Sequence, residues 1–143
     1  MSHWSRYASQ WSAVRPPLRP GDHDLERYGA GLKPGQTVVV LGVTPELVNL
    51  AVDCGCDVWA IDNEPSMIER FEQVGANYCL GDWIDLPSSL PKADWVLADG
   101  APLFFRDLVP LCSALESMLK ATGQGVMRVF CRSDSEDSPK EII

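Results

Sequence analysis

The stretch TVVVLGVTPELVNLAVDCGCDVWAID, residues 37–62, decides the fold. Thr37–Gly42 is a β-branched run closed by a glycine, and it predicts a buried strand. Pro45–Cys54 carries Leu47, Leu50 and Ala51 at helical spacing. Asp57–Asp62 is β-rich again and predicts a second strand. A strand, a helix and a strand joined by short turns imply a crossover between parallel neighbours, and such a sheet needs cover on both faces.

The same alternation continues downstream. Pro65–Val74 predicts a helix with Met67, Ile68, Phe71 and Val74 towards the core, and Asn77–Leu80 and Asp94–Asp99 predict the third and fourth strands. Pro102–Ala121 contains a long helix with Leu108, Leu111, Leu115 and Leu119 on one stripe; Pro110 inside it either kinks that helix or starts it. Gly125–Cys131 predicts the fifth strand. The fold class is therefore α/β, a doubly wound and mostly parallel sheet of about five strands with helices on both faces.

Upstream the pattern differs. Trp4, Tyr7 and Trp11 recur at helical spacing, the prolines between Arg15 and Pro20 exclude regular helix, and Asp22–Leu32 suits a further helix. Residues 1–35 are read as an N-terminal helical or lid segment, 36–132 as the core, and 133–143 as an acidic tail ending in what looks like a helix's first turn.

The chain has 143 residues, one domain's worth, with a net charge of −8 from 12 basic and 20 acidic residues. No basic run is present, which argues against nucleic acid and against an anionic membrane surface. The N-terminus lacks a signal-peptide pattern, and the five cysteines are expected to be reduced in a cytoplasmic protein. Cys54-Gly-Cys56 has no second pair to complete a zinc site and lacks redox spacing, and the two histidines are far from it in sequence, so no metal is expected.

Chemistry in such a sheet collects at the carboxyl tips of the strands. Gly42 permits close backbone approach, Thr44 stands where an N-cap belongs and Pro45 at the first helical position, so the turn aims a helix N-terminus beside Gly42. Asp62 ends the second strand twenty positions after Gly42, the arrangement that holds a ribose through its hydroxyls, although capping the next helix is the alternative.

LGVTPEL, AIDNEPSMI, LGDWIDLP and ADWVLADGAP, taken in order, resemble the successive motifs of class I S-adenosylmethionine-dependent methyltransferases over roughly residues 36–131. The resemblance implies a Rossmann-like core that binds S-adenosylmethionine and releases S-adenosylhomocysteine. It implies that Asp62 binds the ribose, that Asn63 and Met67 border the adenine, and that Asp82 contacts the adenine amino group, with Asp85 as the alternative. Trp83 then walls off the purine or serves as a core aromatic. Asp99-Gly100-Ala101-Pro102 would face the sulfonium and the acceptor, with Asp99 as the candidate catalytic residue, as a base or orienting group, although capping the helix around Leu103 is the alternative. Tyr7, Arg15, Arg19 and Tyr28 are candidates from the N-terminal segment.

The sequence departs from that family in two places. Gly42 stands nearly alone in its turn, which also speaks against a nicotinamide dinucleotide, whose pyrophosphate needs a second glycine. The two strands that usually follow the fifth are not expected in this sequence: either this is a truncated form, or a second copy or a partner subunit covers the edge of the fifth strand. The expected function is methyl transfer to an unidentified small-molecule acceptor. The alternative is a non-catalytic methyltransferase-fold module that acts as a binding or partner subunit.

Overall fold

Val38, Val39 and Val40 have no accessible surface and Leu41 keeps 2%. A strand apolar on both faces belongs in the middle of a sheet, and each such side chain contributes about 1.5–3 kcal/mol through burial. The structure, a computed structural model, describes residues 3–131 and places this strand as expected. β1 (Thr37–Leu41) lies between β2 (Asp57–Asp62) and β4 (Ala93–Asp99), with β3 (Ala76–Leu80) outside β2 and β5 (Leu119–Arg128) outside β4. All four pairings are parallel, in the order β3-β2-β1-β4-β5. The chain steps outward from β1 to β3 and then crosses back to β4. The switch point, where flanking loops diverge and leave a crevice, is therefore between β1 and β4.

Alternate residues of β1 face two cores. Val38 and Val40 join Leu47, Val48 and Ala51 of α3 (Pro45–Asp53), Met67 of α4 (Pro65–Phe71) and Tyr28 of α2 (Asp22–Gly29). Val39 and Leu41 join Ile61, Val96 and Ala98 with Leu111, Ala114 and Met118 of α5 (Val109–Met118). Helices thus cover both faces, three against one. α1 (His3–Ser9) packs beside α4, and Trp11 follows it in a 3-10 turn. Among the described residues no helix is long and apolar enough to cross a membrane.

Four expectations need correction. The long helix is two pieces: a 3-10 turn at Ala101–Phe104, and α5, which has Pro110 in its first turn and so starts there rather than kinking. Leu108 precedes it and is 46% exposed. β5 follows α5 with no intervening residue and ends at Arg128 instead of Cys131. Leu119 pairs with Ala93 and Gln124 with Trp95, so Lys120–Gly123 bulge from the ladder and Lys120 turns back to bond Asp94 at 2.8 Å. Val74 is 99% exposed because α4 stops at Phe71, where Glu72 turns extended and the Gln73 amide donates to the Tyr78 hydroxyl at 3.0 Å. The expected acidic tail, 133–143, lies outside the described residues.

Candidate functional site

Gly42 follows the last residue of β1 with φ +90°, a backbone region that side-chain-bearing residues enter only at a cost, and its amide donates to the Ile61 carbonyl at 2.7 Å. The chain then turns through Thr44, the N-cap of α3, whose hydroxyl makes no capping bond, into Pro45. A cavity of about 530 Å³ opens at this turn. It lies along the carboxyl tips of the strands, at the switch point.

The tips of β1, β2 and β4 and the residues that follow β3 supply its wall, and every candidate site residue lines it: Gly42, Thr44, Asp62, Asn63, Met67, Asp82, Trp83, Asp99 and Gly100. The Asp62 Oδ1 accepts from the Glu64 amide at 2.9 Å, so this carboxylate does hold the turn before α4. It faces Gly42 as well, since a Cβ built there would stand 3.9 Å from Oδ2. Burial pushes the Asp62 carboxyl up from the ordinary carboxylate range, an effect that the amides of Glu64 and Asn63 oppose and the charge of Glu64 supports.

Trp83 packs against the core and also faces the cavity. Its indole N–H donates to the Ile61 carbonyl at 2.9 Å, and its ring packs with Phe105 against the core that Leu41, Ile61 and Leu111 share. The same ring faces the cavity, with its Cζ2 3.7 Å from the place of a Gly42 Cβ and its face edge-on to Phe104 at 5.9 Å. Asp82 is exposed and accepts from the Ile84 amide at 3.1 Å.

Asp99 is tied down. Arg128, its register partner on β5, donates to Oδ1 at 2.6 Å and to Oδ2 at 2.9 Å. The guanidinium reaches on to Asp24 at 3.1 Å and to the Arg19 carbonyl at 3.3 Å. The pair is largely buried, with side-chain exposures of 14% and 10%. Such a bidentate, charge-assisted contact fixes the carboxylate's position.

The N-terminal candidates separate. Tyr7 lines the cavity, and burial followed by the charge of Asp99 pushes its phenol up. Arg19 pairs with Glu46 in the first turn of α3, donates to the Trp11 carbonyl at 3.1 Å and lies over the Trp11 ring, while Arg15 is exposed; neither arginine lines the cavity. Tyr28 is buried at the fork of β4 and β5. Its hydroxyl donates to the Ala98 carbonyl at 2.6 Å and accepts from the Arg128 amide at 2.9 Å.

Other lining residues escaped the sequence reading. Trp11, whose indole N–H is buried without a partner, closes one side together with Phe71. Leu103, Phe104, Phe105 and Phe130 close another. The adjacent phenylalanines directly after Asp99–Pro102 were the available signal. Arg128 gave none, because its link to Asp99 spans 29 residues of sequence. Among the described residues no three His, Cys, Asp or Glu side chains are grouped to hold a metal ion.

No protein-family model matches the sequence, and no curated protein matches it. Solved structures do. One described as a zinc-dependent alcohol dehydrogenase from Rhodobacter sphaeroides aligns at 22% identity and a TM-score of 0.75, over 90% of this chain and 56% of that one. A TehB-like S-adenosylmethionine-dependent methyltransferase from Corynebacterium glutamicum aligns at 19% identity and a TM-score of 0.67, over 87% of this chain and 71% of that one. A methyltransferase from Thiobacillus denitrificans, solved with S-adenosylhomocysteine, aligns at 19% identity and a TM-score of 0.66, over 89% of this chain and 55% of that one. The chain thus spans little more than half the length of two of these proteins. At such identities the likeness is one of architecture: this chain has the Rossmann-like α/β core seen in the class I S-adenosylmethionine-dependent methyltransferases.

Proposed function

We propose that the chain binds S-adenosylmethionine in the switch-point cavity and serves methyl transfer to a small-molecule acceptor. The observation that carries this reading is the pairing of Gly42 with Asp62 at neighbouring strand tips, with Trp83 over the same turn. When bound, the cofactor supplies an already activated methyl group. Asp62 would accept hydrogen bonds from the ribose hydroxyls, Asn63 and Met67 would border the adenine, and Trp83 would wall it off, with Asp82 in reach of the adenine edge. Thr44 and the start of α3 would face the amino-acid end, where the first helical position, held by Pro45, has no N–H to offer. Gly100, buried at the tip of β4, would leave room beside the sulfonium, next to Asp99.

Asp99 would then act by position. Both of its oxygens are committed to Arg128, so a free general base is not the role we propose for it. Transfer from an activated donor relies chiefly on approach geometry and a shielded site. The same commitment favours a second reading, a module that binds the cofactor without turnover and works beside a partner subunit. The alcohol dehydrogenase likeness extends to architecture; the single glycine of the β1 turn remains poorly suited to a pyrophosphate.

The test is calorimetric titration with S-adenosylmethionine and S-adenosylhomocysteine, with NADH as the control. Saturable binding of both adenosyl ligands, about 10- to 100-fold weaker in Asp62→Ala, is expected from the loss of hydrogen bonds to a charged group. Absence of binding at millimolar ligand, or equal binding by Asp62→Ala, refutes the reading. Cofactor bound without turnover, together with a stable hetero-complex, selects the module.

A further inference from the structure

One arm of the cavity differs from the rest. Ile84, Leu103, Phe104 and Phe130 are 47%, 55%, 57% and 46% exposed, and all four line the same concavity as Trp83 and Phe105. Single exposed apolar side chains are ordinary on a protein surface, but a convergent group of them in a concave site marks a place where apolar ligand surface is buried. The group is assembled from the carboxyl ends of three strands: Ile84 follows β3, Leu103 and Phe104 follow β4, and Phe130 follows β5. Three of the six are phenylalanines and one is tryptophan, so the arm offers aromatic faces and edges, as in the edge-on contact of Trp83 with Phe104.

Charge narrows the occupant. Among the described residues no lysine or arginine lines the cavity, whereas Asp62, Asp82 and Asp99 do, together with His3. Arg128 is already matched to Asp99 and Asp24, and Arg19 to Glu46. An anionic group in this arm would lose water and face these carboxylates, with no lysine or arginine among the described lining residues to offset the cost.

We propose that this arm is the acceptor subsite and that it takes a ring-bearing, apolar molecule with no anionic group. The assignment of the molecule as methyl acceptor rests on the function proposed above; the subsite's binding preference does not, so the two are separable by experiment. 2-Naphthol and 2-naphthoate share a ring system and differ in charge. Each is titrated by calorimetry into the full chain, alone and saturated with S-adenosylhomocysteine. Saturable binding of 2-naphthol in both states is expected, with 2-naphthoate weaker by about tenfold or more. Phe104→Ser weakens 2-naphthol about five- to tenfold, the loss of an aromatic contact. Leu103→Ser, equally exposed and so equally harmless to folding, weakens it in the same direction.

The proposal is overturned if 2-naphthol fails to bind, if 2-naphthoate binds as tightly, if neither substitution affects 2-naphthol, or if S-adenosylhomocysteine displaces 2-naphthol competitively. If the adenosyl ligand does not bind but the 2-naphthol preferences hold, the methyl-transfer reading fails and the subsite stands.

Discussion

Tyr28→Phe removes one oxygen atom from the fork of β4 and β5. That hydroxyl is buried with a side chain 3% exposed, and it serves two backbone groups at once, the Ala98 carbonyl at 2.6 Å and the Arg128 amide at 2.9 Å. Phenylalanine fits the same space, so the cost is that of stranding buried polar groups, about 1–3 kcal/mol for each one left unsatisfied. The Arg128 amide lies near the strand end and can recover water, so the total should be about 2–4 kcal/mol, read as a lowered urea midpoint at pH 7. Burial, chiefly, also lifts this phenol from its ordinary 10.0 to about 12. A raised folded-state value means that the hydroxyl's contribution is complete below pH 10 and is lost as pH climbs towards 12. Over that window the wild type should lose about 2–3 kcal/mol that Tyr28→Phe does not lose. The gap between the two proteins should therefore close as pH rises from 9 to about 11.5. A gap under about 0.5 kcal/mol at pH 7, or one that does not change with pH, would refute the assignment of the hydroxyl as a bridge between the strands.

Asp62→Asn should raise the thermal midpoint of the ligand-free chain at pH 7. Burial raises this carboxyl's folded-state value, so ionisation costs stability as pH rises through the carboxylate range, and the amide removes that cost while keeping an oxygen for the Glu64 amide. The advantage should vanish near pH 3.5, and thermal scans at both pH values that showed the same difference would contradict it. Gly31→Ala should destabilise by about 1–3 kcal/mol in urea unfolding, because its Cβ would stand 2.4 Å from Cζ2 of Trp95, and a neutral substitution would mean that this indole is free to move.

The β1–α3–β2 unit was legible because periodicity, a glycine and a proline all agree there. β1 is buried on both faces, and α3 begins at Pro45 as its sequence says. The nine candidate residues share one cavity for a topological reason: a doubly wound sheet gathers the tips of its strands. What was not legible depends on distant partners. Leu108, Leu111, Leu115 and Leu119 keep helical spacing, yet Leu119 is drawn into the sheet by Ala93 and Leu108 is left outside the helix. The fixed state of Asp99 follows from a parallel register with Arg128, which local pattern does not encode. The aromatic arm is built by loops after three strands, and only the fold brings them together.

Among the described residues β3 and β5 are the edge strands of the sheet, each offering a row of backbone donors and acceptors to any strand that arrives. A net charge of −8 makes every copy of the chain repel every other. The acidity that argued against nucleic acid thereby acts as a colloidal guard for exposed hydrogen-bonding edges. The guard has a range set by ions in solution, about 10 Å at 0.1 M salt and about 3 Å at 1 M. Edge-to-edge pairing of copies is thus favoured by concentrated salt, while in dilute buffer a strand of opposite charge has the easier approach.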